Sequence, residues 1–369
     1  MTDDDKTPGG SPADLKAIRG QIDRLDQQIQ GLISERARVA QSVGMTKRAG
    51  AQPGDYYRPE REAQVLRGVI QRNDGPLRDE EIVRLFREIM SACLAQQEPL
   101  KVAFLGPEGT FTQAAVLKHF GHSVRAVALS TIEEVFAEIE AGVADFGIVP
   151  IENSTEGTVT NTFDMFVAST LHICGEVELR IEQHLMSRQS RIDGVKRIYA
   201  HAQSLSQCRG WLKEHLPGVD CIAVNSSAGA ARRAREDESS AAIAGEAASE
   251  VYGLNVLVHN IEDRADNTTR FLVIGRDLFA ASGKDKTSLL LSSSHKPGAL
   301  QALLYTLSSH DINMTRIESR PARRGEQEFV FFVDVEGHAD DATVADALAD
   351  LGREGYLLRV IGSYPRAVL

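Results

Sequence analysis

The sequence predicts a multidomain chain in which three architectures follow one another: all-α, then α/β, then α+β. Three observations carry that prediction. Over 13–97 there is almost no β-type alternation, and apolar residues recur at helical steps instead. From Pro99 short apolar strands alternate with helices. From Ser288 the order strand, helix, strand, strand, helix, strand follows within about 80 residues, which is the split-βαβ, ferredoxin-like arrangement.

The first unit, 13–98, opens with Leu15, Ile18, Ile22, Leu25, Ile29 and Leu32, spaced 3, 4, 3, 4 and 3 apart. That is a coiled-coil-like seam on a helix reaching about Lys47. Gly50, Pro53 and Gly54 break it. A second helix runs from Pro59 to about Arg72, with proline at a tolerated first-turn position. NDGP at 73–76 is a turn, and a third helix covers about 79–97. Three helices of these lengths are too thin to bury their own seam, so the unit is expected to form a homodimer. Over 13–97 it carries 14 Lys/Arg and 12 Asp/Glu, net +2, in a chain whose net charge is −11. The remainder therefore carries −13, and the helical unit suits an anionic small ligand.

The second unit, 100–279, has strands at 101–106, around FGIVPI, at RIYAH (197–201), at AAIAG (241–245) and at FLVIG (271–275). Helices are expected at 112–120, 131–141 and 161–169. Residues 280–286 read as a linker. In the third unit, 287–365, strands are expected at 288–293, 312–319, 328–335 and 356–363, with helices at 298–309 and 341–352.

Composition excludes several classes. An excess of 52 Asp/Glu over 41 Lys/Arg makes a poor nucleic-acid binder. No apolar run approaches a membrane span. The acidic start, 1–12, reads as a disordered leader and not as a secretory signal. Cys93, Cys174, Cys208 and Cys221 form no CxxC and no zinc spacing. They fit small buried groups in a reduced, cytoplasmic setting. No metal, nucleotide or flavin is implied.

On the helical unit, Arg36 and Lys47 lie 11 residues apart and share a helix face, about 16 Å apart along the axis. Both can converge on a small dianion. Arg19 lies about 25 Å from Arg36 and reaches such a ligand only from an antiparallel partner. Each of these charges also reads as an ordinary solvated helix face. IRGQIDRLDQQIQGLISERARVAQSVGMTK, YRPEREAQVL and RLFREIMSACLAQQ together resemble the all-helical class of chorismate mutase. The resemblance implies that Arg19 of the partner and Arg36 bind carboxylates. Lys47 and Gln97 donate to the ether oxygen, and Glu62 holds the ring hydroxyl. Arg58 lines the site, and Cys93 stands where the family has serine, with Ser91 nearby. A thiol is the weaker donor. The pericyclic rearrangement of chorismate to prephenate needs only a held conformer and donors at the breaking ether bond.

In the second unit, GPEGT lies between a strand and a helix but matches neither phosphate-loop spacing. It is a turn, or a helix start at which Thr110 and backbone N–H groups meet a carboxylate. PIENSTEGTV brings Asn153, Ser154, Thr155 and Thr158 after a strand, and HAQSLSQC brings His201, Gln203, Ser204 and Gln207. Such clusters form turns or polar sites. With TRF at 269–271, these motifs resemble prephenate dehydratase over about 101–278. The resemblance implies two α/β lobes around a cleft, like a periplasmic binding protein, with the TRF strand returning to the first lobe. Thr269 is then the essential hydroxyl that helps the ring hydroxyl of prephenate leave. Thr268 faces the other way on the strand. Arg270 pairs a substrate carboxylate or braces the site.

Residues 288–364 resemble an ACT domain. HKPGAL at 295–300 (Pro297, Gly298, Ala299, Leu300) and IESRP at 317–321 (Glu318, Ser319, Arg320) match its phenylalanine-holding loops. Together the resemblances imply a bifunctional enzyme with no cofactor that takes chorismate and prephenate and is inhibited by L-phenylalanine. A non-catalytic amino-acid sensor, an arogenate-using dehydratase, and a dehydratase with an inactive mutase arm stay open as alternatives.

Overall fold

In the computed structural model the backbone is described for residues 12–49, 57–294, 297–321 and 328–369, and side chains for 14–46, 57–292, 297–320 and 329–369. The leader at 1–11, the side chain of Lys47, and His295 and Lys296 of the HKPGAL motif lie outside the described residues.

The helical unit consists of α1 (Pro12–Ala49), α2 (Pro59–Gln71) and α3 (Asp79–Ala95). Their limits follow the sequence signals closely. Helix α1 packs on α3 through its C-terminal part, where Gly44 is buried against Gln97. A Cβ at Gly44 would lie 2.8 Å from Gln97 Oε1 and would push that amide aside. Along the rest of α1 the seam is uncovered within one chain. Leu15, Ile18, Ile22, Leu25, Ile29 and Leu32 are 50–65% exposed, far above what a paired seam leaves open.

The second unit is two sheets. The first lobe contains β1 (Lys101–Leu105), α4 (Phe111–Phe120), β2 (Arg125–Leu129), α5 (Ile132–Glu140), β3 (Phe146–Asn153), β4 (Gly157–Thr158), α6 (Thr160–Ala168) and β5 (His172–Arg180). The chain then crosses to the second lobe: β6 (His184–Ser187), β7 (Arg197–His201), α7 (Ala202–Gln207), α8 (Arg209–His215), β8 (Asp220–Val224), α9 (Ser227–Glu236), β9 (Ser240–Ala244), α10 (Glu246–Tyr252) and β10 (Asn255–Val258). It returns as β11 (Thr268–Gly275), which inserts antiparallel between β3 and β5. The sheet orders are β2-β1-β3-β11-β5 and β10-β6-β9-β7-β8. Two crossovers, 181–183 and 259–267, therefore join two lobes, as the resemblance implies. Cys93, Cys174 and Cys208 are buried, while Cys221 is exposed on an outer strand of the second lobe.

The third unit is β12 (Asp285–Ser294), α11 (Ala299–Ser309), β13 (Met314–Pro321), β14 (Glu328–Glu336), α12 (Ala342–Arg353) and β15 (Leu357–Pro365). Its antiparallel order β13-β14-β12-β15 is the ferredoxin-like one. This unit shares a core with the first lobe. Phe163 meets Phe332 edge-on at 4.5 Å between ring centres, and Tyr364 is fully buried. Gly362 lets β15 close on β5, since a Cβ there would come within 2.2 Å of the Ile173 carbonyl.

The expected linker is not free. Arg67 of α2 donates to Ser282 O and Oγ and to Lys284 O at 2.7–3.1 Å, and the Asp285 carboxylate caps Ser282 and Gly283. At the end of the chain, Arg87 donates to Val368 O and Ala367 N donates to Glu176. All three units are thus tied together by hydrogen bonds.

Candidate active sites

A cavity of about 370 Å³ opens between the two lobes, within the usual range for small-molecule sites. The first lobe contributes Phe111, Pro150, Asn153, Glu156, Gly157, Thr158, Val159 and Thr269. The second lobe and the first crossover contribute Ile181, Gln183, His201, Gln203, Ser204, Gln207 and Ser227. No Lys or Arg is among them. A carboxylate held here meets amides, hydroxyls and backbone N–H groups.

The centre of the cleft is a hydrogen-bonded triad of Asn153, Asn267 and Thr269, all at least nine-tenths buried. Strand pairing sets Thr269 opposite Asn153. Asn153 Oδ1 accepts the backbone N–H groups of Thr155 and Glu156, both at 3.0 Å. That fixes which end of the amide faces inward. Nδ2 then donates to Asn267 Oδ1 at 2.9 Å and to Thr269 Oγ at 2.8 Å. Thr269 Oγ is therefore an acceptor toward Asn153, and its own proton is left for the cleft.

Strand alternation explains where the neighbours go. Arg270 turns away from the cleft. It bonds Glu176 at 3.0 Å, Asp334 at 2.6 Å and the Tyr364 hydroxyl at 3.0 Å. Burial disfavours its charge, but Tyr364, Asp334 and Glu176 outweigh that and raise its pKa. The substrate-binding role implied for Arg270 does not fit, because its guanidinium is spent between the first lobe and the third unit.

Other expected residues divide. His201, Gln203 and Ser204 line the cleft, with His201 Nδ1 accepting the Gln203 N–H at the start of α7. Thr110 does not line it. It caps α4, accepting from Gln113 N at 3.5 Å and donating to Leu105 O at 3.4 Å, which is the turn reading of GPEGT. Ser154 and Thr155 stand behind the lining. Ser154 Oγ accepts from Thr268 N, and Thr155 Oγ donates to Asn267 Oδ1. Two lining or supporting residues, Asn267 and Gln183, are not marked by the sequence motifs. Asn267 stands just before TTRF, a signal that could have found it, whereas nothing in IEQHL marks Gln183.

The mutase residues are only partly gathered. Gln97 is brought onto α1 at Gly44, one turn before Lys47. Arg19 and Arg36 are exposed on α1. Glu62 faces a different cavity, lined by Tyr57, Arg87, His119, Glu176 and the C-terminal residues and by no residue of α1. It sits 3.6 Å from Arg87 and bonds Tyr57. Burial, only partly offset by Arg87 and Tyr57, raises its pKa to about 7. His119, buried beside it and near Arg87, falls to about 3, and its Nε2 lies 3.0 Å from the Tyr57 hydroxyl. Within one chain Glu62 therefore does not join Arg36. Arg58 is half-exposed beside Glu60 at 3.5 Å. Cys93 is buried, and Ser91 instead accepts the Ser123 N–H of the second unit.

Around the expected effector loops, Gly298 has φ +85 at the entry to α11, and Pro297, Gly298 and Leu300 are exposed, with Ala299 half-buried. Strand β13 behaves differently from expectation. Glu318 accepts from Thr158 Oγ at 3.0 Å, and Arg320 donates to Thr160 O and pairs with Asp164. Both side chains are turned into the first lobe. Ser319 faces solvent between them.

Comparison with known proteins accounts for all three units. Family models match for chorismate mutase type II over 18–98, prephenate dehydratase over 102–278 and the ACT domain over 287–353. A bifunctional chorismate mutase/prephenate dehydratase of Stutzerimonas stutzeri is 53% identical over 359 residues, 96% of this chain and 98% of that one. The chain belongs to the bifunctional chorismate mutase/prephenate dehydratase family. It has both activities of that family and serves phenylalanine biosynthesis under feedback control through its ACT domain. Among solved structures, a prephenate dehydratase from Arthrobacter aurescens in complex with L-Phe is 37% identical with a TM-score of 0.66, covering 73% of this chain and 93% of that one. A protein described as a novel type of quorum-quenching acylase, GqqA, is 30% identical with a TM-score of 0.68, covering 72% and 98%. Among the described residues, no helix is long and apolar enough to cross a membrane.

Proposed function

We propose that the inter-lobe cleft is the dehydratase site and that Thr269 hydrogen-bonds the departing ring hydroxyl of prephenate. The observation that carries this reading is the spent amide of Asn153: both its hydrogens are committed, so the Thr269 proton points to substrate. Loss of CO2 leaves an electron pair that forms the aromatic ring as the hydroxyl departs with a proton. A placed neutral donor assists that departure without full ionisation. His201, Gln203 and Ser204 hold the substrate with Ser227 at the start of α9. A nucleophilic role for Thr269, as acyl transfer would need, lacks support. Its oxygen accepts from an amide, and no base bonds it among the described residues.

The mutase site is assigned to a homodimer formed along the α1 seam, in a cytoplasmic enzyme. Arg36, Lys47 and Gln97 of one chain meet Arg19 of the other, with Arg58, Glu62 and Cys93 completing the site once α2 closes on the paired α1 helices. Phenylalanine is assigned to the turn at Pro297–Leu300 beside Ser319, with Glu318 and Arg320 carrying the signal into the first lobe. Thr269→Ala tests the cleft. Phenylpyruvate formation, followed by ultraviolet absorbance, falls about 100- to 1,000-fold while chorismate consumption continues at the wild-type rate. Retention of phenylpyruvate formation would remove the assignment.

A further inference from the structure

A larger cavity, of about 470 Å³, lies outside every site assigned above. Three walls bound it: one face of α3 in the helical unit, α4 of the first lobe and α10 of the second lobe. Along the first crossover and into β6 the side chains alternate. Ile181 and Gln183 line the cleft, whereas Glu182 and His184 line this cavity. Phe111, at the start of α4, lines both. Its ring lies against Gly245 before α10, where a Cβ would come within 2.6 Å of it. The expected effector loops at 297–300 and 318–320 contribute nothing to the lining.

The polar groups of the lining divide into spent and unspent. Glu88 is bound to His122 at 2.7 Å, and Arg180 pairs with Glu182 and Glu262 at 3.5 and 3.7 Å. Lys118 donates to Glu178 O, and Arg87 is held by Glu62 and Val368 O. Two pairs of side chains have no partner among the described residues: Glu80 and Arg84, one turn apart on α3, and Glu246 and Glu250, one turn apart on α10. Arg84 and Lys118 thus place positive charge on the α3–α4 side, while the α10 side carries two carboxylates and no cation. Between them the lining is apolar, with Phe111, Leu117 and Leu179. His184 is 2% exposed. Its Nδ1 accepts the Asn260 N–H at 3.1 Å, so Nε2 carries the proton. Burial, with neighbouring His259, lowers its pKa, and the ring is neutral at pH 7. The Nε2–H has no acceptor among the described residues and is left for the cavity that the ring lines. A buried donor is destabilising unless something accepts from it.

We propose that this cavity is a second effector site, distinct from the ACT loops, which takes a free α-amino acid with a bulky apolar side chain and couples it to the dehydratase cleft. Glu246 lies close enough to His184 to act on its charge. A neutral donor and a carboxylate therefore sit side by side, as an α-amino acid presents its carboxylate and its ammonium. His184 Nε2–H donates to the ligand carboxylate, with Arg84 as its counter-charge. Glu246 and Glu250 accept from the ammonium, and the side chain lies on Phe111, Leu117 and Leu179. A simple anion leaves the α10 carboxylates without a partner, and a simple cation leaves the His184 donor without one. The volume is within the usual range for small-molecule sites. Such a ligand touches α3, α4 and α10 at once, so it favours the lobe angle at which these walls face one another. Phe111 and the crossover carry that preference to the cleft, and substrate in the cleft changes the affinity for the amino acid by the same factor. The coupling, though not the binding, rests on the cleft being the dehydratase site.

The test is calorimetric titration of the full-length enzyme with L-leucine, L-phenylalanine and L-tryptophan, and with 3-phenylpropionate and phenethylamine, which each lack one pole. At least one amino acid is expected to bind, and both single-pole analogues about 10-fold more weakly or worse. Arg84→Glu and Glu246→Lys, both at exposed positions, each weaken that binding about 10-fold or more. His184→Phe keeps the ring and removes the donor, with the same effect, and the two surface variants stand in if it does not fold. The bound amino acid shifts the KM for prephenate about fivefold or more, and Glu246→Lys abolishes that shift. The proposal is overturned if no probe binds at about 10 mM, or if the affinities are unchanged in both Arg84→Glu and Glu246→Lys, which would leave binding to the ACT loops alone. Binding that leaves the KM unmoved overturns the coupling. Thr269→Ala separates the two layers: if it keeps full activity on prephenate, the cleft assignment fails, while the titrations still decide the cavity.

Discussion

The dehydratase cleft and the mutase arm solve the same problem with opposite degrees of self-sufficiency. Both are proposed to handle small, ring-bearing dicarboxylates without a covalent bond between enzyme and substrate. The cleft is closed by two sheets of one chain, and its central hydroxyl is oriented by bonds made within that chain. The arm is one helix face on which Arg19 and Arg36 are exposed and the apolar seam is half open. Of its proposed partners, Gln97 packs on α1 at Gly44, whereas Glu62 faces a cavity that no residue of α1 lines. A pocket made between lobes acquires its geometry when the chain folds. A pocket made on a helix face acquires it when a second surface arrives.

The sharpest way to break that contrast is to damage the cleft from behind. Arg270→Met leaves the buried Glu176 and Asp334 short of their cation, although Lys286 still holds Glu176 at 2.9 Å. Breaking a buried pair in this way costs about 3–5 kcal/mol. Urea unfolding should show that loss, and dehydratase activity should fall with it while mutase activity persists. Next comes the reverse damage. Leu25→Asp places a charge on the seam, where Leu25 is 50% exposed in the single chain. Sedimentation should shift to monomer, and the mutase rate should fall about 100-fold, the equivalent of roughly 3 kcal/mol. Dehydratase activity should stay within about twofold of wild type. Equal loss of both activities would show that the two sites are not independent.

The smallest effect concerns Glu62. Burial raises its pKa from 4.5 to about 7. The folded chain therefore binds more protons there than the unfolded chain between those values, and stability falls as pH rises through that window. Glu62→Gln removes this contribution. Its melting temperature should exceed that of wild type by a few degrees at pH 8 and match it below pH 4.5. A wild-type curve already flat across that window would place Glu62 in water, on the α1 side.

How much of this was legible in the sequence depended on the kind of signal. The three architectures were legible because hydrophobic period changes from helical to alternating at Pro99, and turn residues punctuate each boundary. Thr269, Asn153, His201, Gln203 and Ser204 were legible because Asn153 and His201 end strands, Thr269 lies at the start of β11, and Gln203 and Ser204 open the helix that follows β7. Arg270 was ambiguous beside Thr269, and strand alternation with a buried acidic pocket behind it decided its direction. Thr110 was spent on capping its own helix. Glu318 and Arg320 read as ligand-binding because the motif marks the strand, not the face that each side chain takes. Gln183 lay on a crossover with no periodicity, so only the assembled lobes reveal it.

The ACT domain grips the first lobe through Asp334 on Arg270, Arg320 on Asp164 and Arg359 on the end of α6. Substrate-driven closing would then be the second lobe swinging like a jaw against a braced anvil. That jaw already carries its own handle. Cys221 is the sole exposed thiol, while the other three are sealed inside. A maleimide dye attached to the native enzyme would mark the moving half alone and turn each catalytic cycle into an optical signal.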